Sequence, residues 1–262
     1  MGDTVVMMQA DGVLRIEIRR PEKKNALSAP MYAALADAIA ACESDPFVRV
    51  LLLLGQPDVF CSGNDMQDFM QSARPSAGTD SIDDGPVLRF MRALSQATKP
   101  VVAAVNGLAI GVGATMLLHC DLVCASDSAR FQFPFVALGL CPEFGASLLM
   151  PARAGYQRSA ELLMLAEPFS AAKAKEYGLI NEVAQEGRAD EWALQRAQRL
   201  AKMPAGALRL TKRLLKQADA TALQKRLDDE LHYLVECVRS PEAAEAFAAF
   251  AQRRPADFSR FD

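Results

Sequence analysis

VLRIEIR, residues 13–19, alternates apolar and charged positions through Ile16, Glu17, Ile18 and Arg19, the period-two signature of a half-buried strand. RVLLLLG, residues 49–55, is a continuous apolar run of strand length, the pattern of a strand buried on both faces. Between them RPEKKNALS reads as a loop, and Ser28 stands where it can cap a helix over 30–43 with Pro30 in its first turn. QPDVFCSGND is a second loop, and the polar, turn-rich residues 71–86 read as a mobile surface segment. A helix over 87–97 leads through Lys99-Pro100 to a strand at 101–105. The loop NGLAIG, a short helix and a strand at 122–125 follow.

Helices are predicted near 156–166 and 170–177. From about 188 the pattern is helical almost throughout: RADEWALQRAQRLAKM, then 205–218, 221–238, and a last helix with Ser240 as N-cap and Pro241 at its first position. Strands and helices alternate over two-thirds of the chain and helices fill the rest, which makes an α/β core over 1–190 and a helical C-terminal region over 191–262. No exact sequence repeat is present, although the strand–helix pattern recurs.

Composition narrows the function classes. The 262 residues are 51% apolar and 23% charged, and can bury roughly 70–75% of the unfolded surface without staples. A net charge of −3 with no basic stripe argues against nucleic acid as a partner. VVAAVNGLAIGVGATMLL, 101–118, has the length of a membrane span. Asn106 and its glycines break it into strand, loop and helix of a globular core, so no membrane partner is expected. The start, MGDTVVMMQADG, lacks a charged region followed by a long apolar one, so no secretory signal is expected. Six cysteines without a CxxC pair read as buried free thiols of a reducing, cytoplasmic compartment. The two histidines, His119 and His232, are too far apart in sequence to suggest zinc, and His119 reads as structural.

Common catalytic signatures are missing. GVGATM starts like GxGxxG but has Met116 where the last glycine belongs, and neither GxxxxGK[ST] nor GxSxG occurs. Two glycine-bearing loops remain, FCSGND at 60–65 and NGLAIGVGA at 106–114, each leaving a buried strand. They are either plain turns or a pair that aims two N–H groups at one oxygen. LGLCPEFGAS, 138–147, adds a lone carboxylate, Glu143, among Leu140, Cys141, Pro142 and Phe144. Such a group is either a loop glutamate favoured by a helix N-terminus or a buried base with a raised pKa.

These pieces resemble the crotonase superfamily, the enoyl-CoA hydratases and isomerases. RPEKKNALS, FCSGNDMQDF, KPVVAAVNGLAIGVGATMLLHCDLVCASDSARF, PFVALGLCPEFGAS and PFSAAKAKEYGLINEV stand in the family's order and cover most of residues 13–184. The resemblance implies a spiral of repeated ββα units, with the helical tail resembling the family's trimerisation region, hence a homotrimer or a dimer of trimers. It implies that the substrate is an acyl-CoA, with coenzyme A carried by the substrate and no separate cofactor or metal. The oxyanion donors implied are the backbone N–H groups of Asn64 and Val112, where many members have glycine at the second position. Coenzyme A contacts would come from Lys23, Lys24 and Ala26 and from Ser62, Gly63, Asn64, Asp65 and Met66, although the two lysines read equally as a solvated charge run. Phe69, Phe133, Phe135 and Gly111 would line the acyl pocket, with Met66 beside them.

The reaction follows from what is absent. Hydratases of the family carry two glutamates that handle water, and this chain has Thr115 and Phe135 at those places. Glu143 matches the single glutamate of the Δ3,Δ2-enoyl-CoA isomerases, which need one base to move a proton from C2 to C4. The competing expectations are a ring-epoxide isomerase of phenylacetyl-CoA breakdown, whose members tend to carry aspartate there, a weak hydratase, and a non-catalytic acyl-CoA-binding protein on the same fold.

Overall fold

The computed structural model describes residues 4–66, 68 and 85–261. Among these residues the larger sheet has six strands in the order β1 (Val5–Ala10), β2 (Val13–Ile18), β3 (Val50–Leu54), β5 (Val101–Val105), β7 (Leu122–Ser126) and β10 (Glu182–Ala184). A smaller, four-stranded sheet has β4 (Val59–Cys61), β6 (Leu108–Ile110), β8 (Arg130–Gln132) and β9 (Phe169–Ser170). β1 and β2 form a hairpin closed by Asp11 and Gly12 at φ 51° and 76°, the positive values a two-residue primed turn needs. The other pairings of the large sheet are parallel.

Parallel strands require crossovers, and the chain makes them by alternating between the sheets. β3 passes to β4 and then, past residues outside the described set, to α2 (Pro86–Ser95). β5 passes to β6 and to α3 (Val112–Thr115), which tightens into a 3-10 turn at Met116–His119. β7 passes to β8, a 3-10 turn at Val136–Leu138 and α4 (Ala146–Ala154). This is the spiral of ββα units expected from the resemblance. It sets the C-terminal ends of β4 and β6 side by side, since the two pair in parallel through Val59–Leu108 and Cys61–Ala109.

The uninterrupted apolar run of β3 is explained by cores on both faces. Leu51 and Leu53 join the main core with Val101, Ala103 and Val105, whereas Val50, Leu52 and Leu54 join a second one with Val102, Ala104 and Cys124. Helix α7 (Ala189–Ala201) closes the second core with Ala189, Ala193, Ala197 and Ala201, a stripe at i, i+4 that lets the helix lie close to the sheet. On the main-core side α1 (Ala29–Ser44) lies against the sheet and α2 packs on α1. The remaining helices are α5 (Tyr156–Met164), α6 (Ala171–Glu176), α8 (Ala205–Gln217), α9 (Ala220–Val238) and α10 (Pro241–Gln252). Ser240 caps α10 as predicted, its hydroxyl accepting the Ala243 N–H at 3.1 Å.

Several expectations need correction. Ser28 occupies the N-cap of α1 but makes no side-chain cap; the Asp68 carboxylate accepts the Ala29 N–H instead, at 3.1 Å. The loops QPDVFCSGND and NGLAIG contain β4 and β6, whose three residues are too few to show a period. β1 and α4 were not anticipated: Pro151 inside α4 and the half-exposed Met7 and Met8 of β1 disguise both patterns. Most of the segment 71–86 lies outside the described residues. Residues 101–118 divide into strand, strand and helix, and no helix among the described residues is long and apolar enough to cross a membrane.

Candidate active site

The loops leaving β4 and β6 face each other closely. A Cβ placed on Gly111 would come within 3.9 Å of Gly63 Cα, and one on Gly113 would strike Cys61 O at 2.3 Å, so only glycine lets α3 start here. Each loop carries an N–H without an acceptor among the described residues: Asn64 in the first and Val112 in the second. Their directions are fixed through their own peptide planes. Gly63 C=O, in the plane of the Asn64 N–H, accepts the Leu27 N–H at 2.8 Å. Gly111 C=O, in the plane of the Val112 N–H, accepts from Ala114 and Thr115, both at 2.9 Å. A trans peptide points its N–H opposite to its C=O, so both donors are turned away from these anchors.

Glu143 follows the 3-10 turn at Val136–Leu138 and is only 4% exposed. Its Oε1 is buried and has no hydrogen-bond partner among the described residues, and burial followed by the charge of Glu230 lifts its pKa from 4.5 to about 8. Phe144 and Gly145 take left-handed φ values of 60° and 72°. That conformation is a strain for phenylalanine and persists only where neighbours enforce it. They do: Phe144 C=O accepts from His119 Nε2 at 2.7 Å, and the two rings stack with centroids 4.0 Å apart. A carbonyl only accepts, so Nε2 carries the proton, and burial keeps His119 neutral with a pKa near 3. From α9, Glu230 accepts the N–H groups of Gly145 at 2.5 Å and Ser147 at 2.9 Å, and the Ser147 hydroxyl at 2.6 Å.

The loops 22–27 and 62–66 are sewn together. Ser62 N–H donates to Lys24 C=O at 3.2 Å and Asp65 N–H to Leu27 C=O at 2.9 Å. Lys23 and Lys24 are exposed, Ala26, Ser62 and Met66 are half-buried, and Gly63 is buried. Asp65 is taken by Arg20, whose Nη1 lies 2.8 Å from Oδ2 and also donates to Ala26 C=O at 3.0 Å. Asn25 is the keystone that sequence reasoning missed. It is fully buried, its Oδ1 accepts the Arg20 N–H at 2.6 Å, and its Nδ2 reaches the carbonyls of Ile18, Val59 and Phe60 at 3.0–3.1 Å.

Phe133 and Phe135 are buried in the same core as Val112 and Phe144, and Phe133 packs on Phe169 at 5.7 Å between centroids. Thr115 is fully buried. Phe69 lies outside the described residues. Tyr32, on the first turn of α1, was also missed; its hydroxyl donates to Asn64 Oδ1. Neither Tyr32 nor Glu230 carries a local motif, because each reaches the site from a distant element. A cavity of about 420 Å³ lined by residues such as Glu43, Arg49, Lys99 and Arg209 shares no residue with these loops. Its Lys99 is already spent on the carbonyls of Cys42 and Asp45 at 2.5 and 2.7 Å.

Two sheets wound from ββα units, with two facing glycine-bearing loops and a buried carboxylate that has an unpartnered oxygen among the described residues, define the crotonase class. The chain belongs to the enoyl-CoA hydratase/isomerase family, whose model matches residues 8–260, and is an enzyme of that isomerase or hydratase type. It is 35% identical to 1,2-epoxyphenylacetyl-CoA isomerase of Escherichia coli over 95% of both chains. It is 30% identical to human enoyl-CoA delta isomerase 2, over 96% of this chain and 64% of that longer protein. Among solved structures, an enoyl-CoA hydratase/isomerase from Pseudoalteromonas atlantica superposes with TM-score 0.90 at 36% identity, over 98% of this chain and 100% of that one.

Proposed function

We propose that the protein is a Δ3,Δ2-enoyl-CoA isomerase. The observation that carries this reading is Glu143, the one buried carboxylate among the described residues with an unpartnered oxygen, Oε1. The carboxylate takes a proton from C2 of a 3-enoyl thioester. The electron pair moves through the C1–C2 bond onto the thioester oxygen, and the Asn64 and Val112 N–H groups hold the resulting dienolate. The protonated Glu143 returns the proton to C4, leaving the double bond between C2 and C3. Thr115 and Phe135 cannot activate water, and the buried phenyl group keeps the neighbourhood apolar. Coenzyme A arrives with the substrate and lies along the loops 22–27 and 62–66, with Lys23 and Lys24 meeting its phosphates; no separate cofactor takes part. The exposed Leu214, Leu215, Tyr233 and Phe250 of the helical region are the surface for assembly into a trimer or a dimer of trimers. The six free thiols suit a reducing, cytoplasmic setting.

The test is a panel of 3-enoyl-CoA esters of different chain length, followed by the rise of conjugated-thioester absorbance. Turnover of at least one member is expected, and none would overturn the reading. The 35% identity to a protein named 1,2-epoxyphenylacetyl-CoA isomerase favours a second reading, ring-epoxide isomerisation by the same base. Its substrate belongs in the same panel, and preferred turnover of it would replace the first reading.

A further inference from the structure

We propose that Tyr32 is a positioning residue for this reaction: its buried hydroxyl, bonded to the Asn64 side chain, fixes the peptide whose N–H faces the thioester oxygen. The inference rests on reading Asn64 and Val112 as the oxyanion donors.

The first turn of α1 holds Asn64 from two directions. Leu27, two residues before the helix, accepts the Asp65 N–H at 2.9 Å and donates to Gly63 C=O at 2.8 Å, which pins the peptides on both sides of Asn64. Those bonds hold the peptides on either side, and the Tyr32 hydroxyl holds the residue between them through its side chain, donating to Oδ1 and so restraining the Asn64 backbone torsions. The tyrosine is itself immobile. It is 2% exposed, its N–H is bonded to Ser28 C=O at 3.0 Å, and its ring packs on Phe90 at 5.5 Å, with Phe90 against Phe144 at 5.8 Å. Phenylalanine would fill the same space, so core packing alone does not require a hydroxyl here. Burying one costs desolvation unless its bond is used.

A phenol has one proton to give, and that of Tyr32 goes to Asn64. Glu143 Oε1 accepts no hydrogen bond among the described residues, which makes it more basic than a carboxylate that accepts one. Burial, then the nearby Glu143 and Cys61, hold the phenol well above its ordinary pKa, so it remains a donor throughout the working pH range.

The experiment binds 4-(dimethylamino)cinnamoyl-CoA, which has no proton on C4 and is not isomerised, and compares its absorption with kcat and KM on the best 3-enoyl-CoA ester. Polarisation of the thioester carbonyl by the two N–H groups shifts the chromophore to the red. Tyr32→Phe should lose at least about half of that shift and about tenfold in kcat, with KM within about twofold, the pattern of an interaction made in the transition state. Asn64→Ala removes the acceptor and reads the same bond should Tyr32→Phe fail to fold. The double variant should match the weaker single variant, because the residues act as one unit. A wild-type shift retained in full by the folded variants would overturn the role of Tyr32 alone. No shift with the wild type would overturn the oxyanion reading and the role of Tyr32 with it.

Discussion

Glu230 grips the backbone that presents Glu143. Its carboxylate accepts the Gly145 N–H, two residues beyond the base, at 2.5 Å, and its charge is the second cause, after burial, of a Glu143 pKa near 8. Among the described residues, Glu230, Tyr32 and Cys61 interact electrostatically with Glu143, and the last two are neutral because burial raises both pKa values. As the proposed base, Glu143 must be ionised to accept a proton. In the free enzyme kcat/KM should therefore rise with pH through a limb near 8, far above an ordinary carboxylate. Glu230→Gln keeps an acceptor for Ser147 but removes the charge, and should move the limb to lower pH. An initial-rate pH profile checks both, and a wild-type limb near 4.5 would contradict the burial of an unpaired carboxylate.

Glu143→Gln should lower turnover by about 10²–10⁴-fold with little change in coenzyme A affinity, because it removes the base and keeps the shape. Its stability should respond to pH as well. Folding raises the Glu143 pKa from 4.5 to about 8, so the native state keeps a proton that the unfolded chain releases between those values. The stabilisation is complete below the unfolded pKa and disappears as pH rises through about 8. A glutamine is neutral at every pH. The variant should thus gain stability over the wild type between about pH 5 and about pH 9, by up to a few kcal/mol. Thermal melts at the two pH values measure it, and a constant difference in Tm would show that the carboxylate ionises freely in the native fold.

Val112 opens α3, the first helical position, where proline fits the backbone. Val112→Pro should thereby delete a donor with little local distortion, raising the barrier by about 2.7–4 kcal/mol. Val112→Ala keeps the N–H and should remain active. It removes two methyl groups from a fully buried side chain, at a stability cost of about 1–2.5 kcal/mol. Equal activity of the two variants, both shown to be folded by circular dichroism, would place the donor elsewhere.

Hydration of 2-enoyl-CoA should be at least about 10²-fold slower than isomerisation of the matching 3-enoyl ester, since neither Thr115 nor Phe135 supplies a second acid–base partner. Asp65 and Asp68 are poor substitutes: the first is bound to Arg20 and the second accepts the Ala29 N–H. Loss of conjugated absorbance from crotonyl-CoA and a longer trans-2-enoyl-CoA gives the rate. Hydration as fast as isomerisation would mean that Glu143 handles water alone.

Much of this was legible along the chain. Periodicity located β2, β3, β5, β7 and most of the long helices within a few residues, and the odd placement of Glu143 among apolar neighbours singled it out. The donor-bearing loops were visible through their glycines. What stayed hidden were β1, α4, the strands of two or three residues and the contacts that make the site stiff. Asn25 looks like a loop asparagine until Ile18, Val59 and Phe60 surround it. Tyr32 looks like a core aromatic until Asn64 meets its hydroxyl. Such roles depend on which distant backbone atoms converge, and residue order alone does not carry that information.

The clamp formed by Glu230 has a consequence for the order in which the molecule is made. Gly145 and Glu230 are 85 positions apart, so the base leaves the ribosome well before the residue that steadies it. During synthesis the sheets can close while the turn at Phe144 and Gly145 lacks one of its anchors. A nascent chain halted short of α9 would carry every reacting group named above and still hold its base loosely. With Glu143 as the proposed base, catalytic competence would come late in translation, only once the chain from α9 onward had docked.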